Sequence, residues 1–228
     1  MEIFGLEIDR RKIAFLLIFS ALAFAFYQFN FSEIIGAEPS KKFTLFQFLG
    51  PIAGGVLGPV GGVASVLLVS VSNFLLTGQA LELPVIVSFF TMTMATLYFG
   101  SRHRMVAAVP LLCMVLFWLH PFGVQAWVYA LFWLIPAVAL FFKSNIIARS
   151  LGTTFTAHSI GSVAYLYAFN IPAGVWMGLI PVTAFERLLF AAGIAVFYYA
   201  VNTMLHAFSS RFDLSCLNIE KKYAFWKA

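Results

Sequence analysis

Charge is scarce in this sequence: 10% of its 228 residues are Asp, Glu, Lys or Arg, whereas an ordinary soluble domain carries about 25%. With 62% hydrophobic residues and a mean hydropathy of +0.94, water is excluded as the main solvent. Cysteine is nearly missing, and its two residues, Cys113 in an apolar run and Cys216 in the C-terminal tail, make neither a disulfide framework nor a metal knuckle. No Walker A loop is present, so ATP hydrolysis by that route needs another subunit. HExxH, GxSxG and CxxC are absent too, which removes the familiar metalloprotease, hydrolase and redox signatures. The chain is therefore expected to be no enzyme, with no cofactor and no metal site. The net charge of +5 does not point to nucleic acid, because the basic residues lie at the ends of apolar runs and not in one patch.

What the sequence has is long apolar runs. A hydrocarbon core of about 30 Å needs about 20 helical residues to cross it. Runs such as Ile13 to Phe26 are apolar on every face, unlike the short alternating strands of a membrane barrel. That first run has no small-residue cleavage site and is followed by others, so it reads as a retained helix and not a signal peptide. Breaks at Gly, Pro and charge clusters give eight segments, at 13–30, 43–57, 59–77, 84–99, 105–119, 126–142, 151–168 and 172–205. The expected fold is all-α, a polytopic transmembrane helical bundle of six to eight spans. It forms one integral membrane domain over 1–228 with a short cytoplasmic tail at 206–228. Segments 43–57 and 105–119 are short for full crossings, and the first is open to being re-entrant or fused to its neighbour.

With the N-terminus in the cytoplasm, the inner side collects Arg10, Arg11, Lys12, Arg102, Arg104, Lys143, Arg149, Arg211, Lys221, Lys222 and Lys227, 11 of the 14 basic residues. The outer side keeps Lys41 and Lys42, near Glu33 and Glu38. Both termini are then cytoplasmic and the protein belongs in the cell membrane as a multi-pass chain. Trp118, Trp127, Trp133 and Trp176 suit the headgroup level, whereas most of the 27 Phe residues read as lipid-facing bulk.

The most informative stretch is Phe43 to Gly78, FTLFQFLGPIAGGVLGPVGGVASVLLVSVSNFLLTG. Gly50, Gly54, Gly58 and Gly62 recur every fourth residue, a spacing that lets helix backbones approach closely. The pairs Gly50-Pro51 and Gly58-Pro59 interrupt the helix. Broken backbone at membrane depth is tolerated where it is buried in protein or lines a cavity. After the second break, Gly62, Ser70 and Asn73 share one helical face. The pattern GxLxGPxxG, followed by an apolar span with a polar residue near its far end, resembles the second and third helices of the substrate-binding S components of energy-coupling factor (ECF) vitamin transporters. Ala21 and Ala25 in the first run are similar to the AxxxA motif by which S components meet their transmembrane coupling subunit. The resemblance covers about residues 13–78. It implies uptake of a small vitamin-like nutrient, with a coupling subunit and ATPase subunits as partners. The chain departs from the family in that S components usually have six helices and many place an acidic residue where Ser70 or Asn73 stands.

Few titratable residues fall inside the apolar runs, where an ionised group costs at least about 2.5–3.5 kcal/mol. Glu186 and Arg187 lie in the 34-residue last segment, which Pro181 is expected to divide. If the helix enters at Pro172 the pair is deep; if it begins near Val182 the pair is interfacial. Adjacent residues point about 100° apart on a helix, so the two are expected to address different neighbours. His158 is the expected partner, and it shares a face with Thr154 and Gly161. Asn73, His158, Glu186 and Arg187 are accordingly the expected substrate-binding residues, and Gly50, Gly54, Gly58, Gly62, Ala21 and Ala25 the helix-packing ones. His120 and His206 read as interfacial, and His103 as part of a basic loop. Two alternatives stay open beside the transport subunit. One is an assembly protein that docks a membrane partner through the glycine ridge; the other is an intramembrane enzyme using His158 and Glu186.

Overall fold

The computed structural model describes residues 2–3, 6–7, 9–33, 42–101 and 103–225. Glu38, Lys41, Arg102 and Lys227, used above for orientation, lie outside them. Among the described residues about 80% are helical, which makes the fold all-α apart from two small antiparallel ribbons. The first ribbon pairs β1 (Glu2–Ile3) with β2 (Leu6–Glu7), and the second pairs β3 (Asn30–Glu33) with β4 (Lys42–Thr44) through a bulge between Asn30 and Ser32.

Among the described residues the helices are α1 (Arg10–Tyr27), α2 (Phe46–Leu49), α3 (Ile52–Thr77), α4 (Leu83–Gly100), α5 (Ala108–Leu119), α6 (Pro121–Gln125), α7 (Leu134–Ala139), α8 (Ile146–Phe169) and α9 (Ala173–Phe208). Their starts follow local chemistry. The Asp9 carboxylate accepts from Arg11 N at 2.9 Å, and the Asn145 side chain accepts from the first free amides of α8. Three helices, α3, α4 and α9, are long and apolar enough to cross a membrane. Their outward sides are apolar as well. Helix α9 buries Phe190, Ile194 and Tyr198 yet exposes Phe185, Leu188 and Val196, and a helix apolar all round suits lipid rather than water.

Most expected segment bounds fall within a few residues of a helix, and the exceptions have physical causes. Segment 126–142 is not one helix: it runs as a 3₁₀ stretch at Tyr129–Trp133, then α7, then a second 3₁₀ turn at Leu140–Phe142. Pro136 has no N–H to give to the turn before it, which favours the tighter winding there. Segment 105–119 likewise opens as a 3₁₀ turn before α5. Conversely, Pro181 does not divide the last segment, because α9 passes through it unbroken. The proline is exposed, so its lost hydrogen bond disturbs no internal packing.

Helix α3 breaks at Gly58, whose φ of 81° and ψ of 168° fall in a region essentially closed to other residues. The two arms fold against each other, with Gly62 set on Gly54 and Gly100 of α4 on Gly54 from another side. A side chain at Gly54 would collide with the Thr96 carbonyl. The expectation of a single four-glycine ridge is thereby corrected: Gly50 and Gly54 lie before the break and meet α4 at Met92 and Thr96, whereas Gly62 lies after it and meets the first arm of α3 itself. Ala21 and Ala25 are both exposed on α1 and make no packing contact within the buried side of this helix. The buried side of α1 is Phe19, Ser20 and Ala23, and Ser20 Oγ hydrogen-bonds Ser65 Oγ of α3 at 2.7 Å.

Two apolar cores result. One joins α1, α2, α3 and α9 around Phe46, Ile52, Val56, Ile194 and Tyr198. The other joins α5, the 129–133 turn, α8 and the start of α9 around Phe117, Trp133, Leu166 and Trp176.

Candidate functional site

A cavity of about 720 Å³ takes its walls from the edges of both cores. Its rim includes Gln28 and Asn30 after α1, Thr77 to Glu82 around the α3–α4 loop, and Ile171 between α8 and α9. Its size suits a small organic ligand. The four residues expected to bind substrate, Asn73, His158, Glu186 and Arg187, all line it.

Glu186 lies 13 residues into the unbroken α9, about 20 Å from the helix start at 1.5 Å per residue. The helix thus starts next to Pro172 and not near Val182. Adjacent residues were expected to address different neighbours, yet Arg187 Nη2 donates to Glu186 Oε2 at 3.2 Å. The flexible side chains overcome the 100° offset of their Cα–Cβ bonds. Arg187 Nη1 reaches Thr154 Oγ1 of α8 at the long distance of 3.5 Å, and the guanidinium lies over the rings of Phe190 and Phe43 at 4.3 and 5.3 Å. Arg187 is 5% exposed, and its Nε has no hydrogen-bond partner among the described residues.

His158 does not hydrogen-bond Glu186 or Arg187, which corrects the expected direct partnership. Its Nδ1 accepts from Trp133 Nε1 at 3.2 Å, and its Nε2 lies 3.0 Å from Tyr129 Oη. Tyr129 Oη is in turn 3.0 Å from Thr183 Oγ1, one turn before Arg187 on α9. Because an indole can only donate, Nδ1 is the acceptor and the ring proton is assigned to Nε2. His158 is thus held as a neutral ring at the end of a hydroxyl relay. Asn73 Oδ1 accepts from Gln28 Nε2 at 3.3 Å, tying α3 to the end of α1 at the rim.

The opposite end of the bundle is closed by polar contacts to the C-terminal tail. Arg149 donates from Nε to Phe99 O at 2.7 Å and from Nη1 to Glu220 Oε1 at 2.6 Å, with its guanidinium 4.0 Å from the Phe99 ring. Tyr198 Oη donates to the same carboxylate oxygen, and Glu220 N donates to Asn202 Oδ1. Burial opposes the charged form of Glu220. The hydrogen bonds and attraction of Arg149, helped by Tyr198 and Lys222, outweigh it and hold the carboxyl below its ordinary pKa. Lys143 caps α4 by donating to the carbonyls of Tyr98 and Ser101. Burial, and then the nearby Arg149 charge, bring its pKa down to about 8.

Sequence reasoning missed Gln28, Gln47, Thr91, Tyr129, Ser162 and Thr183 in the cavity wall, since single polar residues in apolar helices carry no local sign of which face they share. It also read Arg149 as a surface orientation charge, whereas the structure buries it. His120 is likewise buried, not merely interfacial: its Nδ1 accepts from Phe122 N to start α6, and its Nε2 is 3.2 Å from Asn170 Oδ1.

No protein family and no solved structure matches this chain. It is similar to an uncharacterised protein of Methanocaldococcus jannaschii, with 26% identity over 210 residues that cover 83% of this chain and 70% of that one.

Proposed function

We propose that the protein is the solute-binding membrane subunit of an uptake system for a small organic, vitamin-like nutrient. In this reading it is a multi-pass bundle of six to eight spans in the cell membrane. Both termini are cytoplasmic, and a transmembrane coupling subunit with ATPases supplies the energy. The observation that carries it is Arg187, a buried guanidinium in the wall of a ligand-sized cavity with a donor left unpaired. Such a donor costs about 1–3 kcal/mol when unsatisfied, and an acceptor on a ligand relieves that cost. The cavity rim lies at the opposite end from Lys143, Arg149, Lys221 and Lys222, so positive-inside orientation turns the mouth outward, as uptake requires.

Native mass spectrometry of the detergent-extracted protein tests the reading. The expected result is a water-soluble metabolite retained at stoichiometric level by the wild type and lost in Arg187→Gln, with both forms eluting as folded protein. Lipid alone in both forms would overturn it.

A further inference from the structure

We infer that the ligand of this cavity is a zwitterion, a small organic solute that carries both an ammonium and a carboxylate group. The inference rests on the solute-binding reading and narrows it to one charge pattern.

It starts from the incomplete pairing of Glu186 and Arg187. One hydrogen bond of 3.2 Å joins them, from Nη2 to Oε2, where a guanidinium and a carboxylate can make two in parallel. Oε1 of Glu186 and Nε of Arg187 have no hydrogen-bond partner among the described residues. Each ion therefore keeps one unused position, an acceptor on one side and a donor on the other, and both residues line the same cavity. Phe43 and Phe190 lie against the guanidinium.

The charge balance points the same way. His158 is held neutral by the Trp133 donor, and Tyr129, Thr183 and Ser162 near it carry no charge at neutral pH; the other carboxylate of the lining, Glu82, stands exposed at the rim, in reach of water. The deep wall therefore holds one anion and one cation and sums to zero. A lone carboxylate ligand would leave an uncompensated negative charge out of water, and a lone ammonium an uncompensated positive one; both are strongly disfavoured. A zwitterion completes both residues and keeps the sum at zero, its carboxylate on Arg187 and its ammonium on Glu186.

The test is competitive retention by the purified full chain in lipid nanodiscs. The probe is an equimolar mixture of the common amino acids, their 2-hydroxy acid counterparts, their decarboxylated amines, and the vitamins nicotinamide, riboflavin and pantothenate. Retained compounds are read by mass spectrometry. The expected result is retention of one or a few amino acids, with the matching hydroxy acid and amine each held at least tenfold more weakly. Glu186→Gln and Arg187→Gln are each expected to lower retention at least tenfold, and Arg187→Lys to restore part of it. Where a variant fails to elute as folded protein, the wild-type series decides alone. Retention of a hydroxy acid, an amine or a vitamin at least as tight as any zwitterion overturns this inference and leaves the solute-binding reading standing. Folded wild type that retains none of the mixture overturns the inference, and lipid as the sole co-purifying molecule in the extract then separately overturns the solute-binding reading.

Discussion

Trp133 donates its indole N–H to Nδ1 of His158 at 3.2 Å, and this one-way contact sets the histidine's protonation. With Nδ1 occupied as an acceptor, the neutral ring carries its proton on Nε2, towards Tyr129 Oη. Nitrogen-15 NMR of histidine-labelled protein is expected to show one unprotonated and one protonated ring nitrogen for His158 at pH 7. In Trp133→Phe the buried Nδ1 loses its donor, at a cost of about 1–3 kcal/mol. That loss should appear as a lower melting temperature, and a doubly protonated ring in the wild type would contradict the assignment.

Gly58 adopts a backbone that side chains disfavour. Gly58→Ala should therefore destabilise the protein by about 1–3 kcal/mol, although the nearest atom to the added methyl, Asn218 Nδ2, stands 3.7 Å away. Thermal unfolding in detergent measures this. An unchanged midpoint would mean that the α3 break does not need its glycine.

Glu220 should make the docked tail acid-sensitive. Its pKa lies below the unfolded value, so its contribution is fully present above pH about 4.3 and is lost as the pH falls through the lower folded pKa. Glu220→Ala leaves Arg149 buried without its counter-charge, which costs about 3–5 kcal/mol when such a pair is broken; the partly open position of Glu220 favours the lower end. Melting curves from pH 3 to 7 are expected to fall in acid for the wild type and to start low and change less for the variant.

Lys143 behaves in the opposite sense. Its folded pKa of about 8 lies below its unfolded value, so a charged Lys143 is a cost that is full below pH 8. The cost is relieved as the pH rises from there towards about 10.4, the unfolded pKa. Lys143→Met should flatten that stretch of the stability curve. Identical slopes for variant and wild type between pH 8 and 10 would show that Lys143 is not buried as described.

Much of the architecture is legible in the sequence because apolar length and Gly-Pro punctuation are local signals. The break at Gly58 follows from the Gly58-Pro59 pair itself, whereas the unbroken last helix does not follow from Pro181, which was expected to divide it. The candidate site was partly legible for a related reason: Asn73, His158, Glu186 and Arg187 stand out as polar residues in apolar runs, and they line one cavity. Their pairing was not legible. Direct contact between His158 and Glu186 looked natural from depth alone, but Tyr129 and Thr183 intervene from positions that no periodicity marks. Arg149 and Glu220 are 71 residues apart, and only the folded tail makes one the answer to the other.

The break in α3 also bears on the order in which the molecule can be finished. Val56 O, just ahead of Gly58, accepts a hydrogen bond from Asn218 N at 2.8 Å, a residue the ribosome adds about 160 positions later. Until that stretch emerges, the carbonyl beside the helix break has no tail amide to meet and Arg149 has no Glu220. The closed end of the bundle is thus a late event in biosynthesis, and a nascent chain stalled before residue 218 would present an open one.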